Sequence, residues 1–272
     1  MNLLRLHVIA CPVFHREIEL LAPEARVEVT TRFLDMGLHE CSAASLRTAL
    51  QASVDDASAG ACDAVALAYG VCNRGIIGLQ ARSVPVIIPR AHDCIGILLG
   101  QSRRYLEQLA IEPGTYFQSA GWLEHAPGNG ALRGQDLPAG TGNANPPAGP
   151  GEALPAQEFA LRPGLGATRA ELAVRYGEDN ADYLLEQFAA FTRHYRRLAF
   201  ISTPVPQAGR WEATARELAR ARGWTFENLA GDLGWLLRLL KVQWHTDEFL
   251  MLLPGERVSL VSDGRLIAAE RG

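Results

Sequence analysis

The sequence predicts an α/β protein with a mainly parallel sheet and helices on both faces of that sheet. Short apolar runs rich in Val, Ile, Ala and Leu alternate with stretches of helical periodicity, and the connections between them are a few residues long. This order is typical of parallel sheets, whose strands are apolar throughout because both faces are buried. The pattern occurs on both sides of a segment rich in Gly and Pro, so we expect a Rossmann-like fold made of two α/β halves.

The first half covers residues 1–125 and holds four predicted strands. Strands are expected at RLHVIA (5–10), RVEVTTRFL (26–34), DAVALAY (63–69) and PVIIP (85–89), and helices at 15–22, 42–57, 73–81 and 92–110. Ser42 is a suitable N-cap for the second helix, because its side-chain oxygen can accept a backbone N–H of the first turn. The segment 113–122 is expected to be an aromatic loop that either covers a site or packs into the core.

The chain changes character at residues 126–158, where Gly, Pro, Ala and Asn dominate and large apolar side chains are almost missing. Such a segment buries too little apolar surface to offset the entropy lost on ordering, so we expect a flexible insertion. The second half, residues 159–272, resumes the α/β pattern and ends in a hairpin with Asp263-Gly264 at the turn. The two halves either share one continuous sheet or form two lobes.

Composition and charge exclude several functional classes. The formal net charge is −4, and no apolar run is long enough to cross a membrane, so neither a nucleic-acid surface nor a membrane span is expected. The densest basic cluster, RHYRR at 193–197, is expected to be a solvated helix end. Glycine-rich phosphate-binding motifs, the serine-hydrolase motif and the HExxH zinc motif are all missing, so nucleotide-dependent chemistry and serine hydrolysis are unsupported.

The chain contains five cysteines, an odd number, and its apolar N-terminus is interrupted by Arg5 and followed by charged residues. The N-terminus is therefore predicted to be a core strand and not a secretory leader. Cysteines in this context are typical of a cytoplasmic protein with free or metal-bound thiols.

Three of the cysteines directly follow predicted strands. Cys11 follows the first strand, Cys72 the third and Cys94 the fourth, whereas Cys41 and Cys62 are expected at the opposite edge of the sheet. Ligands of open α/β sheets bind beyond the carboxyl ends of the strands, so the three thiols are expected to meet there. The alternative is that each cysteine packs in the core as a small apolar side chain.

His92 lies two residues before Cys94, so one turn can supply a nitrogen and a sulfur ligand. Thiolates and imidazoles are the ligands that zinc prefers, and we therefore predict a Zn²⁺ site on Cys11, Cys72, Cys94 and His92. Three thiolates could equally hold a [4Fe–4S] cluster with one iron open. Four protein ligands would leave zinc no open position, so His92 is alternatively a general base.

Further site residues are expected beside these thiols: Tyr69, Gly70, Asn73 and Arg74 around Cys72, and Arg90 and Asp93 around Cys94. The first four are predicted to bind a cofactor, with Gly70 allowing close backbone approach. Arg90 is expected to lower a thiol pKa or bind an anionic substrate, and Asp93 to orient His92 or to cap the following helix.

Five stretches resemble one bacterial and archaeal family, the domain-of-unknown-function family 1638. They are ACPVFHREIE, YGVCNRGIIGL, PVIIPRAHDCIGILLG, PGTYFQSAGWLE and DLGWLLRLLKVQWHTDEFLMLLPGERV, and they cover most of the chain outside 126–155. The family pattern is similar at Cys11, His39, Cys72, His92, Asp93 and Cys94. The resemblance implies a cytoplasmic α/β protein of uncharacterised activity, encoded near corrinoid-dependent methyltransferase systems.

Two further resemblances concern the site alone. The pair His92-x-Cys94 resembles the zinc-binding His-x-Cys of thiol-methylating corrinoid methyltransferases, which are TIM barrels and activate a substrate thiol. One cysteine per βα unit also looks like quinolinate synthase and diphthamide synthase, which hold a [4Fe–4S] cluster.

The three thiols and His92 at one edge of the sheet predict a metal-thiolate enzyme that acts on a small molecule. These resemblances imply zinc-dependent methyl or one-carbon transfer as its reaction, with a corrinoid protein or methyltransferase as partner. The alternatives are an iron–sulfur lyase or desulfurase and a non-catalytic accessory protein of a methyltransferase system.

Overall fold

The computed structural model describes residues 3–40, 42–125 and 193–271, together with Ala173, Gly177, Glu178, Asn180, Asp182 and Tyr183. Helices and strands are numbered here in chain order within these residues. The insertion predicted at 126–158 lies outside them and stays a prediction.

The larger sheet, sheet A, is mostly parallel. It contains β1 (Arg5–Ala10), β2 (Glu28–Phe33), β3 (Ala64–Ala68), β4 (Val86–Pro89) and β8 (Phe249–Leu252), in the order β2-β1-β3-β4-β8. Strands β1 to β4 pair in parallel, and β8 is antiparallel to β4. Every residue of β3 and β4 is buried, as expected when both faces of the central strands are covered.

A second sheet and a hairpin complete the β-structure. Sheet B is parallel and contains β5 (Thr115–Ser119), β6 (Arg197–Ser202) and β7 (Thr225–Ala230) in the order β5-β6-β7. The predicted C-terminal hairpin is confirmed, because β9 (Glu256–Leu260) and β10 (Ile267–Arg271) pair antiparallel. In its turn the Asp263 carboxylate accepts the backbone N–H of Arg265 at 3.1 Å.

Helices connect and cover the strands. They are α1 (His15–Leu21), α2 (Ala43–Ala59), α3 (Cys94–Leu98), α4 (Ser102–Ile111), α5 (Ala120–His125), α6 (Ala208–Arg222) and α7 (Gly234–Leu240). Ser42 caps α2 as predicted, its hydroxyl accepting the N–H of Ser45 at 3.2 Å. Within the described residues, no helix combines the length and the apolar character that crossing a bilayer requires.

The helix predicted at 73–81 is wrong. The chain forms a 3-10 turn over Cys72–Arg74, in which Asn73 and Arg74 have φ angles of 49° and 58°. Left-handed backbone conformations cannot continue a right-handed helix. Residues 75–78 then form turns, and the chain meets the hairpin where Gly78 N–H donates to the Val258 carbonyl at 2.8 Å and Gln80 pairs with Arg257.

The two sheets do not coincide with the two halves of the chain, and they are separate rather than one continuous sheet. Strand β5 belongs to residues 1–125 but pairs with β6, and β8 belongs to residues 159–272 but pairs with β4. Both sheets contribute to one apolar core, in which Phe117, Ala199 and Ile201 of sheet B pack with residues of sheet A. The segment 113–122, expected to be an aromatic loop, instead contains the strand β5 and the start of the helix α5.

Candidate thiol site at the carboxyl edge of sheet A

The order of the strands in sheet A defines a switch point between β1 and β3. The chain passes from β1 to β2 on one side and from β3 to β4 on the other. Cys11 directly follows β1, and Tyr69 to Cys72 follow β3. Open α/β sheets bind ligands in the crevice at such a point, so these residues occupy the position where a ligand is expected.

The loops after β3 and β4 run side by side. Val71 N–H donates to the Ala91 carbonyl at 2.8 Å, and Cys72 N–H donates to the His92 carbonyl at 2.9 Å. A Cβ on Gly70 would lie 2.6 Å from the Asp93 Cα, so this close approach requires glycine. The backbone thereby fixes Cys72 relative to Cys94.

The three thiols interact electrostatically. Cys11 and Cys94 are buried, whereas Cys72 is half-buried. Burial raises the pKa of the Cys11 thiol, and a charge on Cys72 raises it further. Burial likewise raises the pKa of Cys94, with Cys72 and Cys11 acting in the same direction. Burial, together with the carboxylate of Asp93, raises the pKa of Cys72 to about 12. These three sulfurs therefore share one environment.

N–H groups near each sulfur oppose the effect of burial on its pKa. Backbone N–H groups, including those of Cys94 and Gly70, lower the pKa of Cys72. The N–H of Val13 lowers the pKa of Cys11, and the indole N–H of Trp122 lowers the pKa of Cys94. Backbone and indole donors around sulfur favour the thiolate, the form that binds metals.

Tyr69, the first residue after β3, is buried. Burial raises the pKa of its phenol well above the ordinary value, and the charges of Cys11, Cys72 and Cys94 act in the same direction. The ionisation of this phenol is thus coupled to that of all three thiols.

Asp93 caps α3, as one of the two sequence interpretations predicts. Its carboxylate accepts the N–H groups of Ile95 at 3.0 Å and Gly96 at 3.1 Å. Burial raises the pKa of Asp93, and the Tyr105 hydroxyl acts in the opposite direction. Nothing in the sequence around Tyr105 distinguishes it from other residues of α4.

The turn after Cys72 is strained. Asn73 and Arg74 have successive positive φ angles of 49° and 58°, a conformation that costs a non-glycine residue roughly 1–2 kcal/mol. Asn tolerates it better than most residues, whereas the exposed Arg74 has no such advantage. Strain of this kind is concentrated at functional sites, because the surrounding structure must compensate for it.

Arg90 requires a correction. Its guanidinium donates to the carbonyl of Thr246 at 2.9 Å and to the carbonyls of Arg265 and Ile267. It therefore attaches the hairpin and the loop before β8 to sheet A instead of lowering a thiol pKa. A guanidinium has five donors in a planar fork, which suits this bridging of carbonyls.

The predicted set of four metal ligands is not assembled as it stands. The His92 side chain is exposed, although its carbonyl holds Cys72. In the described part of the chain, no three His, Cys, Asp or Glu side chains are grouped as a metal ion requires. The donor chemistry of the three sulfurs nevertheless suits zinc or iron. Cys62 lies before β3, at the opposite edge, and donates to the Ala57 carbonyl at 3.1 Å, while Cys41 lies outside the described residues.

Sheet B reaches the thiol site through α5. A Cβ on Gly121 would lie 2.0 Å from the Val13 carbonyl oxygen, so α5 lies directly against the turn after Cys11. The next residue, Trp122, contacts Cys94. On the same helix the fully buried Glu124 accepts two hydrogen bonds from Arg16, at 2.6 Å and 2.7 Å.

A second buried carboxyl group joins the two sheets. Glu17 on α1 accepts the hydroxyl of Thr203, which follows β6, at 2.8 Å. Burial raises the pKa of Glu17 to about 7, the charge of Glu124 acts in the same direction, and the Thr203 hydrogen bond opposes both. Its other oxygen, Oε2, is buried without a hydrogen-bond partner in the described structure. A buried carboxyl that titrates near neutral pH is a candidate acid–base group.

Sequence reasoning missed Glu17, although a signal exists. Glu17 precedes Ile18 by one residue and Leu21 by four, so it lies on the apolar face of α1. A carboxylate on an apolar helix face is unusual enough to mark the position.

One comparison with known proteins identifies a relationship. A family model described as "Protein of unknown function (DUF1638)" matches residues 33–240, more than half of the chain. The matched range includes Cys72, His92, Asp93 and Cys94, whereas Cys11 precedes it. No curated protein and no solved structure matches the chain.

Proposed function

We propose that this chain, which belongs to the DUF1638 family, is a metal-thiolate enzyme in which Cys11, Cys72 and Cys94 bind one Zn²⁺ ion. The observation that carries the proposal is the placement of three thiols after β1, β3 and β4, at the carboxyl edge of sheet A beside its switch point. A ligand-binding position and a metal-binding residue type coincide there.

The raised thiol pKa values support a metal and do not oppose it. Buried thiols remain protonated in the metal-free protein, and metal binding replaces their protons. The N–H donors around the Cys72 sulfur are the groups that orient and stabilise a metal-bound thiolate. Because the sulfurs are not yet grouped as ligands, we expect zinc to draw them together.

The residues around the thiols have three further proposed roles: substrate approach, proton removal and contact with substrate or cofactor. Cys72 is the partly accessible thiol, so a substrate would approach from its side. Zinc supplies Lewis acidity and activates a substrate thiol when bound. His92, exposed beside Cys72, is either a fourth ligand or the base that removes the substrate proton. The strained turn at Asn73 and Arg74 is the proposed contact with substrate or cofactor.

The reaction class we propose is methyl or one-carbon transfer to a small molecule, in the cytoplasm, in a pathway that uses a corrinoid carried by a partner protein. The pair His92-x-Cys94 and its similarity to zinc sites of corrinoid methyltransferases support this class. We also infer a Rossmann-like relationship for sheet A, from its strand order β2-β1-β3-β4 and the switch point between β1 and β3.

The test is a metal analysis of protein purified anaerobically. About one zinc per chain in a colourless protein supports the proposal. A brown protein with acid-labile sulfide would replace it with the [4Fe–4S] alternative, in which the same thiols serve a lyase or desulfurase. Protein that contains no metal and takes up none on reconstitution would overturn both and favour an accessory protein.

A matched pair of variants tests the ligands. Cys94→Ser removes one proposed ligand, whereas Cys62→Ser removes a half-buried thiol that donates to the Ala57 carbonyl at the opposite edge of sheet A. We expect Cys94→Ser to lose most of the metal and Cys62→Ser to keep it. Full metal content in Cys94→Ser would exclude this ligand set.

A further inference from the structure

A cavity of about 380 Å³, broadly open to solvent, lies at the amino ends of β6 and β7. It is lined by Arg193, Tyr195, Arg196, Arg222, Gly223 and Trp224. The first three precede β6, and the last three join α6 to β7. The sequence predicts a solvated helix end at residues 193–197 and does not indicate that this segment lies beside the end of α6. The tertiary structure alone brings the two segments together.

Three arginines, Arg193, Arg196 and Arg222, line this one cavity, and all three are exposed. The Arg193 guanidinium also donates to the ring Nε2 of His194 at 3.3 Å. In the described residues, no carboxylate forms an ion pair with Arg193 or Arg196. Like charges around one cavity repel each other, and an anion between them would remove that repulsion. Guanidinium groups bind phosphate oxygens in pairs, which makes a phosphate the anion best suited to them.

Two aromatic rings form the wall beside these charges. Tyr195 and Trp224 pack with their centroids 5.5 Å apart, and Tyr116 packs against both rings, at 5.4 Å and 5.8 Å. The Trp224 backbone N–H donates to the Ala219 carbonyl at 2.9 Å, which holds the ring at the end of α6. A fixed aromatic wall favours stacking by a planar ring system.

Two features oppose an anion, and neither cancels the three cations. The carboxyl end of α6 carries a partial negative charge, but the N–H groups of Gly223 and Trp224 occupy its Ala219 and Arg220 carbonyls. Glu112 lies near the segment 193–196 that lines the cavity, and its carboxylate accepts the N–H of Gly114 at 3.0 Å. Among the described residues, a helix end equivalent to about half a charge and one carboxylate carry less negative charge than the lining arginines carry positive charge.

We propose that this cavity binds a phosphorylated aromatic small molecule of mononucleotide size, with the phosphate on the arginines and the ring system against Tyr195 and Trp224. The volume lies in the range of roughly 300–1,000 Å³ that is usual for small-molecule sites. The site lies at the end of β6 opposite to Thr203, about 20 Å away along six residues of strand. It shares no residue with the thiol site and does not depend on the function proposed there.

The neighbouring Arg197 is not part of this site. It is buried and donates to the Thr115 hydroxyl at 2.9 Å and to the Gln108 carbonyl at 2.9 Å. It therefore connects β6 to β5 and α4, and a substitution there would disturb the fold.

Calorimetric titration of the full-length protein tests the proposal with AMP, adenosine and inorganic phosphate at low salt. We expect AMP to bind at least about tenfold more tightly than adenosine or phosphate, because only AMP uses both the arginines and the rings. We also expect the affinity for AMP to fall as salt is raised. No heat of binding with AMP at millimolar concentration, or equal binding of adenosine, would overturn the proposal. Binding of a single-stranded oligoadenylate without binding of AMP would overturn it too, in favour of a nucleic-acid surface.

Variants locate the site. The double variant Arg193→Ala, Arg196→Ala removes two exposed cations, and we expect it to weaken AMP binding about tenfold or more. Arg103→Ala is the control, because Arg103 is exposed on α4 and pairs with Glu107 at 2.8 Å. Thermal melting confirms that both variants fold. Unchanged AMP affinity in the double variant would place the ligand elsewhere and refute this site.

Discussion

The backbone N–H of Cys72 donates to the carbonyl of His92 at 2.9 Å, two residues before Cys94 begins α3. The N–H groups of Ile95 and Gly96, in the first turn of α3, bind the Asp93 carboxylate. The backbone N–H of Cys94 lowers the pKa of the Cys72 thiol, so the start of α3 acts on a thiol from a different loop. These contacts fix the backbone of Cys72 relative to that of Cys94 before any metal binds.

The thiol of Cys72 is predicted to react slowly in the metal-free protein, although it is the accessible one of the three. Its pKa, raised by burial to about 12, leaves roughly one thiol in ten thousand ionised at pH 8. We therefore expect its alkylation by iodoacetamide, followed by mass spectrometry, to rise about tenfold per pH unit between pH 7 and 9. Added Zn²⁺ should stop the reaction at Cys72 and leave Cys62 unaffected. A pH-independent, rapid reaction at Cys72 would show that the N–H donors outweigh burial.

Glu17 is predicted to make the stability of the protein depend on pH. Its pKa is about 7 in the folded protein, against an ordinary value of 4.5, so the folded state binds this proton more tightly than the unfolded state. The free energy of unfolding should therefore fall as pH rises from about 4.5 to 7, by roughly 3 kcal/mol, and then stay constant.

Urea denaturation at pH 5 and pH 8 measures this effect. Glu17→Gln keeps an oxygen for the Thr203 hydroxyl and removes the titration, so the difference between the two pH values should shrink. Glu19→Gln, on the exposed side of the same helix, is the control and should behave as the unchanged protein. If Glu17→Gln left the pH dependence intact, the carboxyl would titrate in its ordinary range.

The ion pair between Arg16 and Glu124 is predicted to stabilise the protein strongly, because Glu124 is fully buried. Arg16→Met leaves that carboxylate without its cation and should lower the free energy of unfolding by roughly 3–5 kcal/mol. Arg103→Met breaks an exposed pair with Glu107 and should have little effect. Denaturation at pH 7 compares the two. Equal, small losses in both variants would mean that water reaches Glu124.

Gly121 is predicted to be required for the contact between α5 and the thiol site. In Gly121→Ala, the added Cβ would lie 2.0 Å from the Val13 carbonyl oxygen, so α5 must move away from the turn after Cys11. Overpacking of this kind costs about 1–3 kcal/mol or more, and Trp122 should lose its contact with Cys94. Thermal melting and tryptophan emission report the two effects.

Gly209→Ala provides the control for this substitution. Gly209 is also helical, in α6, but nothing lies within 4 Å of an added Cβ there. It should raise stability by roughly 0.5–1 kcal/mol, as alanine does in an open helical position. A neutral result for Gly121→Ala would show that α5 is loosely packed.

The sequence alone identified most of the strands and the edge at which Cys11, Cys72 and Cys94 lie. Both follow from local information: apolar periodicity marks a strand, and in a parallel sheet the residue after a strand lies at the carboxyl edge. The cap of α2 by Ser42 and the cap of α3 by Asp93 were predictable for the same reason, since capping involves residues within one turn.

Tertiary structure alone decided which distant residues meet. The sequence around Arg90 does not reveal that its donors lie against the carbonyls of Arg265 and Ile267. Nor does it reveal that β5 joins sheet B, or that Glu17 reaches Thr203 across the two sheets. Such contacts depend on how separate elements pack, and a buried polar group takes whichever partner that packing brings within hydrogen-bonding distance. The position of the thiol edge is therefore a property of the local pattern, whereas the Trp122 indole beside Cys94 and the partners of Glu17 and Glu124 are properties of the assembled fold.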